Sequence, residues 1–174
     1  MIPVSSHVIV SASREEVFDF LGDLANRAAF ADHFMKDMRL TRPRSSGRGA
    51  AVRFRIDLPF AGTWAETALT QSDRPRRLVE EGRFGRQGRS RTWTVWELTS
   101  EGPGSTRVDV TAATEPGTRV DAMRERFGSR RWYRAQLAAA LRRLRRVFED
   151  DRDRPLARVG VAGYESLKAP RFGA

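Results

Sequence analysis

The residues of this chain best suited to chemistry are a few carboxylates, two arginines and one tyrosine. Glu66, Glu80, Glu81 and Glu97 lie in strand-like segments rich in β-branched and aromatic residues. A carboxylate turned into an apolar interior works as a general acid or base, or as the partner of a buried arginine. Pairing Gln71 with Arg76 across a hairpin sets Thr67 opposite Glu80 and Leu69 opposite Leu78, so these four share a face. If that face is the concave one, Glu80 is a buried acid. If it is the outer one, Glu80 is a solvated strand residue. Arg126 and Arg130 fall on the apolar line of a long predicted helix. There they either snorkel to water beside a kink at Gly128-Ser129 or meet an anion, a ligand head group or an inward glutamate. Tyr133, on the same line, adds a hydroxyl that can donate to an oxygen.

Other chemistries find little support. The chain has no cysteine, which removes disulfides, thiol nucleophiles and thiolate metal sites. His7 and His33 are the only histidines and lack metal-ligand spacing. His33, beside Asp32, reads either as a surface or cap residue or as one at a cavity edge. Serine-nucleophile, phosphate-loop and dinucleotide motifs do not occur, so neither cofactor nor metal is expected.

The elements that must position these groups can be read in order. Val4 to Val10 is a strand. Ser13 and Glu16 have capping-box spacing at the start of a helix carrying Val17, Phe18, Phe20, Leu21 and Leu24. Asn26 to Phe34 reads as a second helix, with Phe30 and Phe34 one turn apart. Strands are then predicted over 36–41, 51–58, 63–71, 76–84, 91–99 and 105–115. The second of these alternates cleanly, Val52, Phe54, Ile56 and Leu58 against Arg53, Arg55 and Asp57. Trp64, Trp93, Trp96 and Trp132 are expected to pack the sheet and the helix surface, one or two of them lining a cavity. A helix from Arg119 to about Asp150 closes the series, and at ~1.5 Å per residue it is ~45 Å long. Its stripe of Met123, Tyr133, Leu137, Leu141, Leu144 and Phe148 spans about 40° either side of Leu137. No second helix of that length exists to cover it, so it must lie on the sheet.

The predicted fold is therefore α+β, in the order β-α-α-β6-α: a curved antiparallel sheet of about seven strands around one long C-terminal helix. Residues 1–150 form the domain, and residues 151–174, broken by Pro155, Gly160, Gly163, Pro170 and Gly173, read as an extended or disordered tail. No apolar run reaches the ~20 residues of a membrane span, and Met1-Ile2-Pro3-Val4 does not read as a secretory signal, so a cytoplasmic location is expected. The formal net charge is +10, nearly all of it from arginine, lysine being confined to Lys36 and Lys168. The stretch 119–150 carries ten arginines against four acidic residues, a net +6. Its outer residues Arg142, Arg143, Arg145 and Arg146 suit weak contact with an anionic membrane; no specific nucleic-acid partner is expected, and no oligomeric state is read from the chain.

This layout resembles the START-like (SRPBCC) superfamily, in particular the bacterial polyketide cyclase/dehydrase and lipid-transport-like proteins. The residues that carry the resemblance are the opening Val8-Ile9-Val10-Ser11-Ala12-Ser13-Arg14-Glu15-Glu16-Val17-Phe18-Asp19-Phe20-Leu21-Gly22-Asp23, then Gly47-Arg48-Gly49, then Asp73-Arg74-Pro75-Arg76-Arg77-Leu78, and Gly104-Ser105-Thr106-Arg107-Val108. They span roughly residues 4 to 150. The resemblance implies a helix-grip fold with a hydrophobic ligand cavity, and it supplies no catalytic signature.

Three functions compete. The first is binding or transport of a hydrophobic small molecule, lipid or polyketide-like, between sheet and helix. Its wall would be Phe30, Phe34, Phe54, Ile56, Trp96, Phe127, Tyr133 and Leu137, with Glu80, Arg126 and Arg130 as polar contacts. The second is a cyclase or dehydratase, which needs an inward cluster of Glu80, Tyr133 and Arg126 or Arg130 to stabilise an enolate and move protons. The third is a basic surface module for anionic lipid or nucleic acid. The carrier reading ranks first.

Overall fold

A computed structural model describes residues 3–58, 62–118, 122 and 130–150. Strand β1 (Val4–Val10) leads into helix α1 (Arg14–Gly22). The capping box forms as its spacing predicts: Ser13 accepts from the Glu16 amide, and the Glu16 carboxylate accepts from the Ser13 amide at 2.9 Å. Val17, Phe18, Phe20 and Leu21 are buried.

The second helix is shorter than expected. Asp23 caps a single 3-10 turn over Leu24–Asn26 through the Ala25 amide, and α2 covers only Arg27–Ala31. The Leu24 amide donates to the Ser45 carbonyl at 2.8 Å and the Asn26 side chain to the Phe20 carbonyl at 3.1 Å. These bonds fix the turn that precedes α2, and at its far end the Phe34 amide donates to the Ala31 carbonyl at 3.2 Å, so Phe34 falls in the turn beyond the helix.

Six further strands follow: β2 (Met35–Leu40), β3 (Ala51–Asp57), β4 (Gly62–Asp73), β5 (Arg77–Phe84), β6 (Ser90–Gly102) and β7 (Ser105–Glu115). They form one antiparallel sheet in the order β1-β7-β6-β5-β4-β3-β2. Short hairpin connections generate that order directly. A bulge between Lys36 and Arg39, with Asp37 at a φ of 54°, kinks the outer strand β2. Gly82 marks a second irregularity. A Cβ there would stand 2.0 Å from the Glu66 carbonyl oxygen, so β4 and β5 approach closely enough to exclude any side chain.

Helix α3 (Arg130–Asp150) lies against β1 and α2. Leu137, Ala140, Leu141 and Leu144 are buried, and Tyr133, Val147 and Phe148 pack beside them, which is the expected stripe over its described part. The predicted turns from Arg119 to Ser129, with Met123 and the kink at Gly128-Ser129, lie outside the described residues, apart from Ala122; so does the tail from 151 onward. The main core joins α1, α2, the sheet and the C-terminal half of α3, while Leu137 meets Val4 and Ala112 in a smaller cluster. Among the described residues no helix is long and apolar enough to cross a membrane.

The seat of α3 on α2 includes an ionisable contact. His33 is half-buried, its Nε2 donates to the Gln136 carbonyl at 3.3 Å, and its ring meets Phe34 edge-on at 4.9 Å. Its Nδ1 is buried without a partner. Burial holds the His33 pKa below its usual value, and Arg143 and Lys36 act in the same direction against the Gln136 bond and Asp32.

Gly82→Ala should cost on the order of 3 kcal/mol, read as a lower urea midpoint, because strand backbone cannot yield as a side chain would. Acid should act through His33. With a folded pKa below the unfolded one, the unfolded state binds the extra proton, so His33 should lower stability as pH falls from 7.5 through 6.5 to 5.5. That window lies above the carboxylate range, so the fall in Tm across it should be smaller in His33→Gln, which keeps a donor for Gln136 but does not titrate.

Candidate functional site

The concave face carries a polar cluster built on Glu80. The residue sits on β5 opposite Leu69 on one side and Thr94 on the other. The hairpin register differs from the expected one: Asp73 pairs with Arg77, and a bulge between Leu69 and Gln71 brings Leu69 opposite Glu80 and Thr67 opposite Gly82. The expected pairing was two residues out at Thr67 and Leu69, and three out at Gln71, beyond the bulge. Because side chains alternate with a period of two, the even slip leaves Thr67, Leu69 and Glu80 on their predicted face. Thr67, Leu69, Leu78 and Glu80 are all buried together as that face requires. Glu66, Glu81 and Glu97 are exposed on the other side.

Glu80 is 2% exposed and saturated with donors. Arg27 grips it end-on, Nη2 to Oε1 at 2.6 Å and Nη1 to Oε2 at 3.4 Å. Trp96 Nε1 donates to Oε1 at 2.8 Å and Thr67 Oγ1 to Oε2 at 3.2 Å. Four donors use the accepting positions of a carboxylate. The Arg27 guanidinium lies over the rings of Phe30 and Trp96, 5.6 and 5.2 Å from their centroids. Its Nε is buried and makes no hydrogen bond.

Arg27 is the residue that sequence reasoning missed. Its expected role was assigned to Arg126 or Arg130, yet the cation that meets the sheet glutamate comes from α2. A signal existed: Arg27 lies three residues before Phe30 and four before Ala31, on the inward side of the same short helix.

The other expected site residues divide clearly. Phe30, Phe34, Phe54, Trp96 and Leu137 are buried, and Ile56 and Tyr133 keep partial exposure. Arg130 is half-buried at the start of α3, with its Nε buried and unpartnered among the described residues. Arg126 and Phe127 lie outside the described residues. Trp132 stands edge-on to Phe34 at 6.2 Å. Trp64 and Trp93 depart from expectation: they are 41% and 38% exposed on the outer face, with Arg53 stacked over Trp64 at 4.8 Å. Strand parity puts them there, since each pairs with outward residues, Arg55 for Trp64 and Glu81 for Trp93.

Tyr133 completes the arrangement from the helix side. Its ring lies 6.2 Å from Phe34 and 6.4 Å from Trp132, and it also packs on the Val4–Ala112–Leu137 cluster. Desolvation, with the Glu80 charge acting in the same direction and Arg27 opposing, pushes the Tyr133 hydroxyl up to about 12. At neutral pH it is a phenol, a donor, and among the described residues it has no hydrogen-bond partner.

The architecture is shared with solved structures. A protein from Thermus thermophilus superposes with a TM-score of 0.65 at 16% identity, covering 82% of this chain and 94% of that one. The Zhui aromatase/cyclase from a Streptomyces species gives 0.59 at 15% identity, over 83% and 94%. A START superfamily protein from Mycobacterium smegmatis gives 0.55 at 15% identity, over 82% and 98%. At these identities the likeness is one of fold. No curated protein matches the sequence. The model of the family described as polyketide cyclase / dehydrase and lipid transport does match it, over residues 1–149, and the chain belongs to that family.

Proposed function

We propose that the chain binds an apolar small molecule, lipid or polyketide-like, between the concave sheet face and α3. One observation carries this reading. Along the inner face, Leu69, Leu78, Trp96, Leu98 and Val108 are sealed, but Ile56, Thr63, Gly82, Phe84, Thr92 and Thr94 keep partial exposure although their parity turns them inward. An inward residue that still meets solvent lines an opening. Over its described residues helix α3 rests mainly on β1 and α2 rather than on the central strands. Phe30, Phe34, Phe54 and Leu137 supply the apolar wall, and the Glu80 cluster and Tyr133 mark the boundary between the sealed end and the open one.

Binding is favoured over catalysis by the state of Glu80. A general acid or base needs a free oxygen and a pKa poised near the working pH. Glu80 has both oxygens committed to four donors. Its role in this reading is structural: it fixes Arg27 and Trp96 as parts of the floor.

Native mass spectrometry of protein purified from its host tests the proposal, with a co-purified apolar molecule as the expected result. Thr92→Trp, which plugs the opening from a partly exposed position, should lower that occupancy about tenfold while leaving the Tm within a few degrees. Equal occupancy in a folded Thr92→Trp protein would place the ligand elsewhere. Arg27→Met and Glu80→Gln should each cost about 3–5 kcal/mol in urea unfolding, since each strands a buried charge, and the double variant Arg27→Met/Glu80→Gln should recover much of it.

A further inference from the structure

We infer that the outer, convex face of the sheet binds single-stranded nucleic acid without regard to sequence, holding phosphates on a row of arginines and stacking bases on Trp64 and Trp93. This face is turned away from the concave side, and its residues take no part in the Glu80 cluster.

The row crosses the sheet in register. Arg39 on β2 stands opposite Arg53 on β3, Arg53 opposite Glu66 on β4, Glu66 opposite Arg83 on β5, Arg83 opposite Arg91 on β6, and Arg91 opposite Glu115 on β7. All six are exposed. Neighbouring strands lie ~4.8 Å apart, so the four arginines are spread over roughly 19 Å. Two steps of this row, Arg39 to Arg53 and Arg83 to Arg91, set like charges directly across a strand pair, an arrangement that weakens a sheet. Glu66 stands between the two pairs, yet the hydrogen bond it accepts comes from Thr41, at 3.2 Å. Among the described residues none of the four arginines forms an ion pair. An anion laid across the face relieves their repulsion, and the repeated spacing suits a polyanion better than a single charge.

The indoles supply the other half of the match. Strands β4 and β6 run the same way, both antiparallel to β5. Trp64, two residues before Glu66, and Trp93, two residues after Arg91, therefore flank the row on opposite sides. By strand geometry they stand roughly 16 Å apart, on a diagonal that passes over the row. Both are exposed, although indoles favour the interior. Arg53 stacks on Trp64 at 4.8 Å, which holds the plane of that ring. Cations that take phosphates, set beside aromatic faces that take bases, are the two parts of a single-strand site. A duplex hides its base faces and can use only the arginines. A bilayer is a poorer match, because a convex face meets a plane only at its crest, and Glu66 and Glu81 stand exposed on it.

Fluorescence anisotropy of a labelled oligothymidylate of about twelve nucleotides, titrated with the full chain at about 50 mM salt, tests the assignment. Saturable binding is expected, with a duplex of the same length about tenfold weaker. Affinity should fall with salt at a logarithmic slope of roughly −3, the value for four phosphates of a single strand, and Arg83→Gln/Arg91→Gln should halve it. That variant removes a repulsion, so its Tm should hold or rise. Trp64→Leu/Trp93→Leu keeps apolar bulk without the stacking ring. It should weaken binding by about tenfold or more and leave the salt slope unchanged. Arg142→Gln/Arg146→Gln, exposed on α3, should change affinity by less than about twofold. Absence of binding, equal binding of duplex, full affinity in folded Trp64→Leu/Trp93→Leu, or dependence on the α3 arginines and not on the row overturns the inference. Capture by vesicles of equal parts phosphatidylglycerol and phosphatidylcholine that is lost in Arg83→Gln/Arg91→Gln, with no such loss for the oligonucleotide, assigns the face to a membrane and overturns it as well.

Discussion

The contact on which the interior depends is the buried pair of Arg27 and Glu80. Two opposite charges removed from water are tolerated only when each is held at close range and the remaining polar atoms are satisfied. The fold meets that condition at Glu80 by drawing several elements together: α2 supplies the guanidinium, β5 the carboxylate, and β4 and β6 supply Thr67 and Trp96. The stacked rings of Phe30 and Trp96 fix the plane of the guanidinium. Helix α2 has only five residues and little stability of its own, so its position comes from this pair and from the bonds that tie the preceding turn to Phe20 and Ser45.

The same pair orders the space around it. It is neutral as a unit, so the floor gains directional hydrogen bonding without gaining net charge. Apolar side chains such as Phe30 and Leu69 can then pack beside it without facing an unbalanced charge. Tyr133 reaches the same region from the opposite side, on a helix seated by the α2 contact that includes His33.

Much of this frame was legible in the sequence because it rests on local periodicity. The alternation of Val52, Phe54 and Ile56 placed β3, the Ser13–Glu16 spacing placed the start of α1, and the Leu137, Leu141 and Leu144 stripe placed α3 against the sheet. The buried face of Glu80 came through in spite of a wrong hairpin register, because the slip was an even one. What could not be read was the partner of Glu80. Arg27 and Glu80 are 53 residues apart, and a five-residue helix offers too short a window for its inward side to stand out. The exposure of Trp64 and Trp93 was hidden for the opposite reason: bulk and hydrophobicity argue for the interior, and only strand parity, fixed by pairing, turns them out.

The kink in β2 has a consequence for the molecule among its copies. As the last strand of the sheet, β2 has one side unpaired, and an open strand of that kind is a template for adding another chain. The bulge between Lys36 and Arg39 breaks the straight run of donors and acceptors that such an addition needs. Lys36, Asp37 and Arg39 further place charges of both signs along it. At the far end, β1 is flanked by α3. The edge that hairpin folding leaves open is thereby a poor template for a neighbouring sheet.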